Sequence, residues 1–147
     1  MSSKPFVLRP ADRKPALSVV GTRVTVLASA SDIEDQQITV QSGDEGTGPP
    51  PHSHEWDETF YITKGQVEFT CAGETGMCVA GTLVHVPAGT VHAFRYGAGG
   101  GEMLEITGKR SNAVPMFTAM DREVPAGPMN VAKVIEVLDR NGVKVHV

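Results

Sequence analysis

No apolar run in this chain approaches the roughly 18 residues that a membrane-spanning helix needs, so no membrane span is expected. The first ten residues, Met1-Ser-Ser-Lys-Pro-Phe-Val-Leu-Arg-Pro10, hold no apolar stretch of the length a secretory signal requires. A cytoplasmic location is therefore the expectation. Cysteine is scarce: only Cys71 and Cys78 are present. They are placed to face each other across a hairpin, but in a reducing compartment two free thiols are expected. Positive charge is not in excess. Lys and Arg total 13 against 17 Asp and Glu, a net charge of -4, and no basic stripe occurs, which argues against nucleic acid as a partner. No Gly-x-Ser-x-Gly elbow surrounds any serine, and neither a phosphate loop nor a dinucleotide fingerprint appears despite the glycines at 97–101. There is no internal repeat, no low-complexity segment and no appended helix-turn-helix.

The 147 residues read as one domain, long enough to bury a core without disulfides. Sixteen glycines and ten prolines fit many short strands joined by tight turns. Residues 1–16 hold three prolines and little periodicity, and read as an arm that lies on the body or reaches a partner. Residues 17–110 carry the strand signals. Ser18 to Ala28 reads as one or two strands broken near Gly21, and Gln37 to Gln41 as a short strand. Glu58 to Thr63 and Gln66 to Cys71 flank Lys64-Gly65, a two-residue hairpin signal. Gly76 to Val79, Thr82 to Val86, Val91 to Tyr96 and Glu102 to Thr107 follow, the last two joined by the glycine run. This spacing predicts an all-β sandwich or barrel. Residues 111–147 change character. Ala113 to Glu123 reads as a short helix. Val131, Val134, Ile135 and Leu138 mark one face of another, with Asn130 as its cap and Asn141-Gly142 as its end. Both are expected to pack on the outside of the barrel.

Chemistry concentrates in Gly46-Thr-Gly-Pro-Pro-Pro-His52-Ser-His54-Glu-Trp-Asp-Glu58. Side chains alternate along a strand, so His52 and His54 point the same way in extended chain, which the prolines at 49–51 favour. Glu58 shares their parity. His92 opens a later strand just after Pro87-Ala-Gly89 and completes the set if the two strands are neighbours. Three imidazoles and one carboxylate suit one divalent transition metal: Fe, Mn, Ni, Cu, Co or Zn. On an octahedral ion two positions stay open for water, dioxygen or a chelating substrate. By parity Phe60 shares the Glu58 face, and Phe94 and Tyr96 share the His92 face. Trp56 falls at the rim. These four are the candidate substrate pocket, which favours an aromatic or otherwise apolar substrate. His85 has the opposite parity and reads as a structural histidine; His146 reads as inert.

These residues resemble the two motifs of the cupin family. The first runs Gly, five residues, His-x-His, three or four residues, Glu, six residues, Gly, and is met by Gly46, His52, His54, Glu58 and Gly65. The second runs Gly, five residues, Pro-x-Gly, two residues, His, three residues, Asn. Gly81, Pro87, Gly89 and His92 match it, while Tyr96 stands where Asn is usual. Fifteen residues separate Gly65 from Gly81. The resemblance implies a jelly-roll barrel, the double-stranded β-helix, with a C-terminal α-helix outside it. It also implies a metal held by His52, His54, Glu58 and His92. Among quercetinase-like members the glutamate matching Glu58 also accepts a substrate proton, so Glu58 is the candidate catalytic residue. The expected activity is that of a metal-dependent oxidoreductase, a dioxygenase acting on a small aromatic or other chelating substrate. The alternatives are a metal-dependent isomerase, cyclase or lyase, and a non-enzymatic small-molecule-binding protein. The family often pairs its barrels, and a homodimer is expected.

Overall fold

The computed structural model describes residues 3–146. Its elements run β1 (Leu17–Val19), β2 (Thr22–Ala28), β3 (Gln36–Gly43), β4 (His52–His54), β5 (Glu58–Cys71), β6 (Glu74–Val79), β7 (Leu83–Val86), β8 (His92–Gly108), α1 (Ala113–Glu123), α2 (Val131–Arg140) and β9 (Val143–Val145). The strands form one sheet in which β8 is the hub, pairing with β3, β4 and β5. Every pairing is antiparallel, and the sheet curls into the jelly-roll barrel. Among the described residues, no helix is long and apolar enough to cross a membrane.

Two strand assignments need correction. Lys64-Gly65 does not close a hairpin: β5 runs through it unbroken, and both halves pair with β8. The glycines at 97–101 likewise lie inside β8. The register shifts instead, between Gly65 and Val67, so the two strands bend together. Gly65 has the positive φ of a turn residue, 68°, but uses it within the bend. A Cβ there would lie 2.2 Å from the Gly100 carbonyl oxygen, so only glycine permits the close approach.

The two-residue turns fall elsewhere, at Val20-Gly21 between β1 and β2 and at Ala72-Gly73 between β5 and β6. Val20 has φ 49°. For a β-branched residue this left-handed conformation costs about 1–3 kcal/mol. Cys71 lies opposite Glu74 and Cys78 opposite Val67, so the cysteines do not face each other, and both are free.

Asn130 caps α2 by accepting from the Lys133 backbone N–H at 3.1 Å. The buried stripe of α2 is Val134, Val137 and Leu138, whereas Val131 and Ile135 are exposed. The helix is thus rotated from the expected face, because Val137 meets the core.

Packing divides into two clusters. One fills the barrel with Phe60, Ile62, Val67, Phe69, Val86, Phe94, Tyr96 and Met103. The other joins α1, α2 and β9 to Val19 and Val24 and forms a cap. Strand β3 reverses the usual pattern. Gln37, Thr39 and Gln41 are buried, and Ile38 and Val40 are only half-buried. The barrel therefore has a polar inner stripe.

Candidate metal centre

Strand β4 carries His52 and His54. It is held on one edge by β8, with His52 opposite His92, and on the other by β9, with His54 opposite Val143. Glu58 opens β5 four residues after His54. These elements bring His52, His54, Glu58 and His92 together, with one donor atom from each within 4.8 Å of the others. The cluster is mostly sealed: His54 is 4% exposed, Glu58 6% and His92 1%.

Local geometry fixes each ring. His52 Nδ1 lies 2.8 Å from the Pro50 carbonyl oxygen, His54 Nδ1 2.9 Å from that of Trp56, and His92 Nδ1 2.8 Å from that of Thr90. A carbonyl only accepts, so each Nδ1 carries the proton and donates it. Each Nε2 of a neutral ring then presents a lone pair. Two of these lone pairs face the same Glu58 oxygen, Oε1, at 3.2 Å from His54 and 3.1 Å from His92. Lone pairs at this distance repel unless a cation, proton or metal, sits between them. This donor set fits a divalent transition metal, with the Nδ1 bonds serving as the outer contacts that orient ligating imidazoles.

In the metal-free cluster a proton on His92 takes that place. Burial, aided by the charge on His92, lowers the His52 pKa to about 4, so its ring is neutral. Burial also opposes ionisation of Glu58, but interactions with Glu105, His54 and His92 outweigh it and hold Glu58 well below the usual carboxylate range. Burial likewise disfavours charge on His92, and the bond to Glu58 overcomes this to raise its pKa. Glu105, fully buried on β8, is pushed well above the ordinary range by burial and then by the Glu58 charge. It is the protonated member of the pair, and its Oε2 is buried with no hydrogen-bond partner in the structure. Thr39 donates to Glu105 Oε1 at 3.0 Å, and Gln41 to Thr39 at 3.3 Å.

A cavity of about 630 Å³, counted out to its open mouth, lies between the cluster and the cap. Trp56 and Phe94 border it. Trp56 stacks on His54 with ring centres 4.2 Å apart and planes 8° from parallel. Phe60 and Tyr96 lie in the barrel core and do not border the cavity. Tyr96 occupies the space above Gly43, where a Cβ would fall 2.4 Å from its ring. His85 stands apart, bonded to Thr59 at 2.9 Å, and His146 bonds Ser53 at 2.7 Å.

Sequence reasoning did not anticipate Gln41, Glu105 or the cap residues Met116, Phe117 and Leu138, which form the far wall. Glu105 gave no usable signal, because it stands between apolar Leu104 and Ile106 and so reads as facing water. The cap residues had none, since their contact with the cavity depends on how the helices dock.

Residues 37–106 match the Cupin domain family. The quercetin 2,3-dioxygenase of Bacillus subtilis (strain 168) is 36% identical over 72 residues, which are 48% of this chain and 21% of that protein. The chain thus spans about a fifth of this curated relative's length. Among solved structures, the polyketide cyclase RemF from Streptomyces resistomycificus is similar with TM-score 0.65 and 21% identity, over 73% of this chain and 81% of that one. KdgF from Halomonas sp. is similar with TM-score 0.67 and 18% identity, over 76% and 99%. At such identities these two structures speak for the fold alone. The family match covers β3 through most of β8, including every residue of the histidine and glutamate cluster, and the fold agrees with it: this part of the chain is a cupin domain.

Proposed function

We propose that this protein is a metal-dependent oxidoreductase of dioxygenase type that acts on a small, neutral, chelating substrate, aromatic by preference. One observation carries the reading: the His52, His54, Glu58 and His92 cluster sits at the floor of a largely apolar cavity that no Lys or Arg lines among the described residues. A divalent transition metal held by those four residues would supply Lewis-acid and redox chemistry to a bound ligand. The chain's own residues do the rest. Trp56 and Phe94 offer ring faces to a flat ligand. Gln41, whose amide nitrogen is engaged by Thr39, presents its carbonyl oxygen as an acceptor. Glu58 accepts the proton that a hydroxyl of the ligand gives up, and the acid of Glu105 beside it steadies the carboxylate. The cap keeps bulk water from the cluster.

The curated relative's name, quercetin 2,3-dioxygenase, supports this choice of reaction class. A second negative group on the ligand, away from the metal, fits poorly, because no Lys or Arg among the described residues lines the cavity to pair it. Oxygen uptake by protein reconstituted separately with Fe, Mn, Ni, Cu or Co, over a panel of phenols, flavonols and diketones, tests the reading. Uptake with one metal supports it. Turnover under anaerobic conditions moves the protein to the isomerase, cyclase or lyase class, and tight binding without turnover makes it a binding protein. A cytoplasmic homodimer completes the proposal.

A further inference from the structure

The turn between β1 and β2 holds strain that the metal centre does not explain. A turn with two positive φ values takes Asn, Asp or Gly at its first position, yet Val20 stands there at 49°, followed by Gly21 at 79°. Ala72 and Gly73 show the same geometry at 50° and 85°, but with a side chain that has no branch. Strain of this kind persists where the surroundings hold a residue in place, and it gathers at ligand sites. The Val20 side chain packs on the cap cluster and borders the cavity. Most of the cavity lining is buried; the half-buried members are Val20, Pro49, Pro50, His52 and Trp56, so these form the mouth. The hairpin tip also lies close to the opposite side: a Cβ on Gly21 would lie 3.5 Å from Thr47, on the loop that leads through Pro49 and Pro50 to His52.

We propose that Val20 is a specificity-determining residue at this mouth. Its branched side chain, turned inward by the strained turn, limits the width of a ligand that reaches the histidine and glutamate cluster. The inference rests on the reading of that cluster as a metal centre.

The test uses the full chain loaded with Co(II) and titrated with imidazole and with 4-phenylimidazole, followed by visible absorption. Val20→Gly suits the turn and removes the branch. It is expected to raise the affinity for 4-phenylimidazole about tenfold, the scale of a small apolar change in a pocket, and to leave that for imidazole nearly unchanged. Val20→Ala should move in the same direction by less. Ala72→Gly, which makes the equivalent change in a turn that does not border the cavity, should leave both affinities at their wild-type values. If the two ligands move together in the Val20 variants, or neither moves, Val20 has no selective role although the metal centre stands. A protein whose cobalt spectrum shows no histidine ligation overturns the metal centre and the inference together.

Discussion

Glu58 Oε1 is the one atom that two imidazole nitrogens address, so the charge of the cluster turns on that residue. Glu58→Gln keeps three imidazoles and an amide oxygen. It should retain bound metal while turnover falls by about 10²-fold or more, the usual scale for a lost general base. Metal analysis beside steady-state rates checks this, and unchanged turnover removes Glu58 from the chemistry. His52 gives a pH test in the metal-free protein. Its folded pKa is about 4, below the ordinary 6.5. The unfolded chain therefore takes up a proton as pH falls through about 6.5, and the folded chain only near 4. Stability from this group is fully present above that window, is lost on descending through it, and levels off below it. The loss is on the order of 3 kcal/mol from the linkage of 1.36 kcal/mol per pKa unit. Urea midpoints between pH 7 and pH 4 should fall less steeply in His52→Gln than in the parent. All four cluster residues were legible in the sequence, because their spacing within short extended segments dictates direction. Glu105 and Gln41 were not. A polar residue between apolar neighbours in a strand reads as facing water, and β3 and β8 turn such residues inward.

At the scale of elements, glycine decided where sequence reading succeeded and failed. Lys64-Gly65 has the composition of a hairpin turn, and Gly65 has the matching φ of 68°. Whether the chain reverses there depends on β8, which pairs with β5 on both sides of the bend. No local pattern contains that partner. Gly65→Ala should lower stability by about 1–3 kcal/mol through backbone strain alone, and more if β8 cannot yield. Thermal unfolding of the metal-free variant measures it. The α1 boundaries were readable from sequence, as was the α2 cap, since both follow from nearby residues. The rotation of α2 was not, because Val137 and Ile135 are equally apolar and only docking chooses between them.

For the whole molecule, the barrel and cap form separate apolar clusters with the cavity between them. The barrel was legible from its strand spacing and ligand motifs. The cap's part in the cavity was not, since it joins the most distant parts of the chain. The arm from residue 3 to 16 is exposed throughout except for half-buried Leu8, a state that suits a segment reaching another copy. Deleting residues 1–14 should weaken self-association, read as a shift toward monomer in sedimentation equilibrium. A distribution unchanged by the deletion rejects a crossing arm.

Strand β4 is three residues long and carries two of the four cluster residues, yet one of its edges is completed only by Val143–Val145. A chain made from its N-terminus therefore presents His52 and His54 long before their strand has both neighbours. Both histidines gain their full set of neighbours only when the C-terminal residues have docked, so the last-made segment completes the wall around the first-made ligands.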